Sequence, residues 1–191
     1  MLCKISNKLA RRLVDNEVIT IDEIDIYVYG FELLLSFLFS TLTIIAAGFC
    51  FKCIVETICF LVIFISLRSF TGGYHALTYV FCNFVTFTVY TVIMILSNYA
   101  SISVKCFWIL LVIGGVLLIV FAPVKNPNKI ISDQKSIQYK VISLVLFITF
   151  CVIGYILNRE YPIISNVCFY TLCADIILIF PKNSKNKRKE M

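Results

Sequence analysis

Long apolar runs separated by short polar stretches make up most of this chain. A helix needs about 20 mainly apolar residues, with a usable range from about 17, to cross a bilayer. The pattern predicts an all-α integral membrane protein with about six transmembrane helices, at residues 31–50, 53–67, 77–96, 106–122, 141–157 and 163–180. The second segment is short, so it is interpreted as a short helix or a partly re-entrant one.

A different pattern precedes the first apolar run. Apolar residues recur at helical spacing among basic ones, which predicts an N-terminal amphipathic helix on an anionic membrane surface; they are Leu2, Ile5, Leu9 and Leu13. The stretch from Thr20 to Glu23 has the form of a capping box. A helix should therefore start there and continue into the first membrane segment.

Composition agrees with this architecture. The chain has 191 residues, of which 60% are hydrophobic and 15% charged, and such long apolar runs are typical of membrane proteins. We expect a single polytopic membrane domain over residues 1–191, with a cytosolic or interfacial region at 1–28 and a basic tail at 181–191. No apolar segment with a cleavage site stands at the N-terminus, so no signal peptide is expected.

Basic residues are distributed unevenly between the two sides that six crossings would create. If the N-terminus lies in the cytosol, all of the 17 basic residues except Lys52, Lys105 and Arg159 fall on the cytosolic side. Cytosolic loops of membrane proteins are enriched in this way. The sequence therefore predicts cytosolic N- and C-termini and places His75 at the cytosolic face.

The nine cysteines do not indicate a disulfide framework. Their number is odd and most lie within apolar runs, where cysteine behaves as a small hydrophobic residue. The CxxC spacing of Cys50 and Cys53 is interpreted as incidental. Neither a zinc ligand set nor a nucleotide-binding glycine loop is visible, so no metal, cofactor or nucleic-acid partner is predicted.

The stretch "RSFTGGYHALTYVFC", residues 68–82, contains the only histidine, His75, seven residues before Cys82. A nearby histidine can take the proton of a thiol and leave a nucleophilic thiolate. On a straight helix the two residues would stand about 10.5 Å apart, so one of them must leave the helix. Gly72 and Gly73 provide a bend; pairing across a homodimer is the alternative. The competing interpretation is a packing cysteine and an interfacial histidine.

Three short motifs resemble the accessory gene regulator B (AgrB-type) family. They are "GGYHA" with its H-x6-C spacing at 72–82, "YGFE" at 29–32 and "APVKNPNK" at 122–129, and the resemblance covers nearly the whole chain. It implies a cysteine endopeptidase of the bacterial plasma membrane that serves quorum sensing. Such enzymes cut an autoinducer propeptide at the cytosolic face and cyclise it to a thiolactone, or to a lactone where a serine replaces the peptide's cysteine.

The resemblance also implies roles for individual residues. Cys82 would be the nucleophile that forms an acyl-enzyme thioester, and His75 the general base and later the acid. Arg68 and Gly73 fall on positions that the family's motif retains around the site. Lys125 departs from the expected pattern, because relatives are expected to carry an acidic or polar residue there.

The residue that orients His75 is left open. Glu32 is preferred because it belongs to a matched motif, and Asp133 and Asp175 lie on the same predicted side. Acids within a membrane span are candidates for function by default. For Asp175, however, an interhelical hydrogen bond or a pair with Arg68 is the favoured interpretation. A dyad without a third member is the alternative.

The expected substrate is an amphipathic precursor peptide with an acidic tail. Candidates for binding it are Lys125, Asn128 and Lys129, whose basic loop could attract that tail, although the positive-inside rule explains the same charges. The lipid bilayer is the second partner, and a homodimer is expected because small membrane enzymes bury surface in this way.

Two other classes of function stay open. A small transporter of a peptide or ion could line its path with acids, namely Glu32, Glu56 and Asp175, but no inverted repeat is visible and Glu56 falls on the outer side. A noncatalytic membrane partner of a sensor is the other alternative.

Overall fold

The structure, a computed structural model, describes residues 2–72, 79–100, 102–123 and 133–179. All elements in these ranges are helical: α1 (Leu2–Asp15), α2 (Ile24–Cys50), α3 (Ile54–Thr71), α4 (Tyr79–Tyr99), α5 (Val104–Phe121), α6 (Asp133–Leu157) and α7 (Pro162–Ile179), with a single 3-10 turn (Ile21–Glu23) before α2. Six helices, α2 to α7, are long and apolar enough to cross a membrane. The predicted all-α fold with six transmembrane helices is confirmed.

Several helices extend beyond the apolar runs that predicted them, as α3 and α6 show. The second segment, predicted at 53–67, forms α3 with 18 residues because Arg68 to Thr71 continue the helix. It is therefore long enough for a full crossing. The fifth segment, predicted at 141–157, forms α6, which begins at Asp133. The polar stretch before residue 141 extends the helix because it includes glutamine and lysine, which are good helix formers.

The amphipathic helix α1 packs against α2. Its contact face consists of small residues, since Ser6 and Ala10 have no exposed surface, and small side chains let helices approach closely. Ile5, from the predicted apolar stripe, stays 42% exposed. Ile5 is therefore available to a membrane surface while α1 is held by α2, whereas Leu9 and Leu13 of the same stripe are half-buried.

The capping box predicted at the start of the membrane region is present. The backbone N–H of Thr20 donates to Glu23 Oε2 at 3.1 Å, and the Thr20 hydroxyl donates to the same oxygen at 3.0 Å. These bonds start the 3-10 turn that leads directly into α2.

Helix α7 lies at the centre of the bundle, where it packs against α3, α4, α5 and α6. Half of its span is buried, compared with 17% of α2, α4 and α5. Large apolar side chains on the outer faces remain exposed, for example Ile109, Val112 and Val116 of α5. Exposed apolar faces on every side are suited to lipid, so the protein is a multi-pass membrane protein.

Contacts between helices define the two ends of the bundle. Phe70 near the end of α3 stacks edge-to-face on Tyr139 near the start of α6, with ring centroids 5.8 Å apart. We call this the Cys82 end, because α4 also begins there. At the opposite end, Asn166 of α7 hydrogen-bonds the backbone between α4 and α5.

Candidate active site

Cys82 lies in the first turn of α4, as the fourth residue of a helix that begins at Tyr79. Its side chain is half-buried and its thiol is free. The hydroxyl of Thr86, one turn later, donates to the Cys82 carbonyl oxygen at 3.0 Å. The cysteine therefore sits about one turn inside its span, as the sequence indicated, at a rigid helical position with partial access.

The glycine bend begins where α3 ends. Gly72 has φ 67° and ψ −141°, a conformation that only glycine adopts readily. The hydroxyl of Thr71 donates to the carbonyl oxygens of Leu67 at 3.0 Å and of Gly72 at 3.2 Å. The chain thus leaves α3 at the first glycine of the pair.

Several candidates from the sequence lie outside the described residues. They are His75 and Gly73, between α3 and α4, and Lys125, Asn128 and Lys129, between α5 and α6. The basic tail at 181–191 lies outside them too.

Arg68 lies in the last turn of α3 and reaches towards the start of α4. Its guanidinium carbon is 5.9 Å from the centroid of the Phe64 ring, within the range of a cation–π contact. Arg68 is in the last turn of α3 and Cys82 in the first turn of α4. One basic side chain therefore lies at the same end of the bundle as the candidate nucleophile.

A hydrogen bond joins α2 to the same part of α4. The Ser36 hydroxyl donates to Asn83 Oδ1 at 3.1 Å, and Asn83 follows Cys82 in the chain. Glu32 is half-buried and stands one turn before Ser36, so the two share a face of α2. Sequence reasoning missed Ser36 and Asn83. The only indication in the sequence was that each is a polar residue within an apolar run.

Asp175 is an acid in the last turns of the central helix α7. It is only 3% exposed, and neither carboxylate oxygen has a hydrogen-bond partner among the described residues. The pairing with Arg68 that was favoured from the sequence stays a prediction. Glu56, by contrast, lies in the first turn of α3, about 18 Å along the helix from Arg68, so it stands away from this site.

Side chains from three helices contribute to the candidate site. Among the described residues, no group of three or more His, Cys, Asp or Glu side chains could hold a metal ion. What the described part does assemble is a half-buried thiol, a nearby guanidinium and a buried carboxyl, contributed by α4, α3 and α7.

Comparison with known proteins gives one match. The family model described as "Accessory gene regulator B" matches residues 5–179. That range includes every helix from α2 to α7. No curated protein and no solved structure matches the chain.

Proposed function

The chain belongs to the accessory gene regulator B family, which takes part in processing quorum-sensing peptides, and on that premise we propose that it is a membrane-embedded cysteine endopeptidase. It cleaves a small autoinducer propeptide at the cytosolic face and cyclises it to a thiolactone, or to a lactone where serine is the second nucleophile. The main support is the placement of Cys82 and Arg68 at the same end of the bundle, where α3 ends and α4 begins.

His75 is the proposed base. It stands in the sequence between Gly72, where α3 ends, and Tyr79, where α4 begins. On a straight helix, about two turns would separate His75 from Cys82. We propose that His75 instead approaches Cys82 from the connection between α3 and α4. Glu32 is proposed to orient the imidazole, because it shares a face of α2 with Ser36, which bonds the neighbour of Cys82.

In the first step, Cys82 Sγ attacks the carbonyl carbon of the scissile peptide bond while His75 takes the thiol proton. The C–N bond breaks, and His75 returns that proton to the leaving amine. The products are a thioester on Cys82 and the released C-terminal part of the precursor. Arg68 favours this step because its positive charge stabilises the thiolate.

In the second step, the thiol of the precursor's own cysteine attacks the thioester carbonyl. The carbon–sulfur bond to Cys82 breaks, a new carbon–sulfur bond closes the ring, and the proton passes through His75 to the sulfur of Cys82. One thioester replaces another, so no external energy source is required for this step. Holding both ends of the peptide together favours ring closure, and a site at the membrane boundary keeps water from the thioester.

Localisation and substrate binding follow from charge. The excess of basic residues supports cytosolic termini and a cytosolic active site in the bacterial plasma membrane. Lys125, Asn128 and Lys129 are proposed to bind the acidic tail of the precursor. A homodimer in the bilayer is part of the same proposal.

Intact-mass analysis of the purified protein in liposomes, mixed with its precursor peptide, tests the function directly. The wild-type protein should gain the mass of the N-terminal part of the peptide, and Cys82→Ala should abolish the adduct. His75→Ala should reduce or abolish it. Cys50→Ala is the matched control, because Cys50 is an exposed free cysteine at the end of α2, and it should leave the adduct unchanged.

A folded wild-type protein that forms neither an adduct nor a cleaved peptide with its correct precursor would overturn the protease. An adduct that persists in Cys82→Ala would assign the nucleophile to another residue. In the first case, flux of the peptide or of ions across liposomes becomes the measurement to make, because transport is the leading alternative.

A further inference from the structure

Asn83, the residue after Cys82, uses only half of its capacity for hydrogen bonds. An asparagine amide has an oxygen that accepts and a nitrogen that can donate two bonds. The oxygen of Asn83 accepts the Ser36 hydroxyl at 3.1 Å, whereas its nitrogen donates to no group among the described residues. A donor without a partner is costly in apolar surroundings, so an unbonded amide nitrogen within a membrane helix calls for an explanation.

Asn83 differs in this respect from every other asparagine in the described part of the chain. Each of the others donates through its amide nitrogen to a backbone carbonyl oxygen; they are Asn7, Asn16, Asn98, Asn158 and Asn166. Bonds within the fold therefore account for those nitrogens. They do not account for the nitrogen of Asn83.

Ser36 determines which way the Asn83 amide is turned. Its side chain is buried, and α2 packs against α4. Because the hydroxyl holds the amide oxygen towards α2, the nitrogen on the other branch of the amide is turned away from Ser36. Asn83 itself is half-buried, so a molecule that lies against this part of α4 can reach the nitrogen.

Cys82 and Asn83 occupy consecutive positions on α4. Such residues stand about 100° apart around the helix axis and about 1.5 Å apart along it. Their side chains do not face each other, but both can touch a peptide that lies across the helix between them. The thiol can then meet the carbonyl carbon of a peptide bond while the amide nitrogen meets the oxygen of the same carbonyl.

Deeper along the same face of α4 the bundle is closed. Tyr90, two turns beyond Asn83, is only 2% exposed, and its hydroxyl is hydrogen-bonded to that of Thr57 on α3, at 2.8 Å. This donor is therefore already used within the fold. A peptide that enters beside α4 stops at the level of Asn83, where the thiol of Cys82 also lies.

We propose that the Asn83 amide nitrogen is the oxyanion donor of the reaction. This inference rests on the proposed function, in which Cys82 is the nucleophile. When the sulfur bonds to the carbonyl carbon, the electron pair of the C=O π bond moves to the oxygen, and the Asn83 N–H groups donate to the negative charge. When the C–N bond breaks, the pair returns to the carbonyl, and the proton on His75 passes to the leaving amine. The same donor serves the attack of the precursor's thiol on the thioester.

The test compares two reactions of Cys82, acylation by the precursor peptide and alkylation by iodoacetamide, both followed by mass analysis. Acylation passes through an oxyanion, whereas alkylation displaces iodide from a CH₂ carbon and forms none. Asn83→Ala should slow adduct formation about 100- to 1000-fold and leave alkylation nearly unchanged. The loss should fall on the rate at saturating precursor and not on the concentration that gives half of it, because the contact forms in the transition state.

Ser36→Ala separates the donor from the bond between helices. It removes the same interhelical bond but keeps the Asn83 nitrogen, so it should slow acylation far less than Asn83→Ala. Asn98→Ala is the matched control on α4, because the Asn98 amide donates to Met94 of its own helix, and it should acylate at the wild-type rate. Equal acylation losses in Asn83→Ala and Ser36→Ala, or equal losses of acylation and alkylation in Asn83→Ala, would overturn the oxyanion role.

Asn83→Asp decides the question if Asn83→Ala fails to accumulate in the membrane. An aspartate keeps an oxygen that accepts the Ser36 hydroxyl but has no N–H, and its charge opposes a thiolate at Cys82. Both reactions should slow, and acylation should slow about tenfold more than alkylation, or further; equal losses overturn the inference. A wild-type protein without any adduct refutes the protease, whereas a wild-type adduct with normal acylation by Asn83→Ala refutes only the oxyanion role.

Discussion

The Ser36 hydroxyl on α2 donates a hydrogen bond of 3.1 Å to the side-chain oxygen of Asn83 on α4, the residue that follows Cys82. The two partners are 47 positions apart in the chain, and both stand within largely apolar membrane helices. Polar contacts between transmembrane helices are scarce and orient the helices that make them. This bond fixes α2 against the turn of α4 that carries the candidate nucleophile.

Removal of that bond should loosen the turn. We expect Ser36→Ala to lower the free energy of unfolding by about 1 kcal/mol, a typical value for a hydrogen bond between transmembrane helices, and to slow acylation several-fold. Thermal unfolding in detergent and the acylation assay measure the two effects.

The control for Ser36 is Thr43→Val on the same helix. Among the described residues, the Thr43 hydroxyl bonds only the Phe39 carbonyl of its own helix, at 2.8 Å, and Thr43 is exposed. This variant should match the wild type in both assays. Equal behaviour of Ser36→Ala and Thr43→Val would show that the interhelical bond contributes nothing measurable.

Two adjacent glycines on α5 test how that helix is rotated in the bundle. A Cβ atom on Gly114 would lie 2.5 Å from Phe147 Cζ and 2.6 Å from Ile176 Cδ1, whereas one on Gly115 would meet nothing within 4 Å. We expect Gly114→Ala to destabilise the protein by about 1–3 kcal/mol through overpacking. Gly115→Ala should be neutral or stabilise it by up to about 1 kcal/mol, because alanine favours the helix.

Thermal unfolding of the two single variants measures this difference. A third variant, Gly114→Ala with Phe147→Leu, removes the ring and should recover part of the loss. In the structure only Gly114 faces the core. Equal destabilisation by the two alanine variants would therefore contradict this orientation of α5.

The membrane helices could be predicted because each one satisfies a local rule. Apolar length located α2 to α7, and the capping box at Thr20 located the start of the membrane region. The bounds were less accurate where helical hydrogen bonds continue through polar residues, as at Arg68 in α3 and Lys135 in α6. Hydropathy reports where lipid contact ends, and a helix can extend beyond that point.

The candidate site was only partly predictable. Cys82, Arg68 and the glycine bend stand close together in the sequence, so a local motif revealed them. Ser36 and Asn83 stand in no such motif, because their contact depends on how α2 and α4 are rotated in the bundle. The pairing of Arg68 with Asp175 was one interpretation among several, since the sequence alone does not reveal that α3 packs against α7.

Asn166 stabilises the end of the bundle opposite Cys82. Its amide nitrogen donates to the carbonyl oxygens of Ser97 and Ala100, each at 3.0 Å, and its amide oxygen accepts the Ile102 N–H at 3.3 Å. The side chain is 4% exposed, so Asn166→Ala would leave several buried backbone groups unbonded. We expect a loss of about 2–3 kcal/mol in the free energy of unfolding.

Asn98→Ala is the control for that loss. The Asn98 amide donates only to Met94 of its own helix, at 2.8 Å, and the residue is exposed, so its truncation should change stability by less than about 0.5 kcal/mol. Unfolding curves in detergent measure the stability of both variants. Coinciding midpoints for Asn166→Ala and Asn98→Ala would contradict the role of Asn166.

Two thiols on neighbouring helices provide a direct test of how α3 packs on α7. The sulfurs of Cys59 and Cys168 lie 3.5 Å apart, and both thiols are free. Molecular iodine should therefore join them within one chain: the sulfur–sulfur bond forms, two protons leave, and iodine takes the two electrons to become iodide. Peptide mass mapping should identify the linked pair.

Cys59→Ser should remove the disulfide, whereas Cys50→Ser, which changes an exposed cysteine, should leave the disulfide in place. If Cys59 and Cys168 both stay open to alkylation after oxidation, the packing of α3 against α7 described above would be wrong.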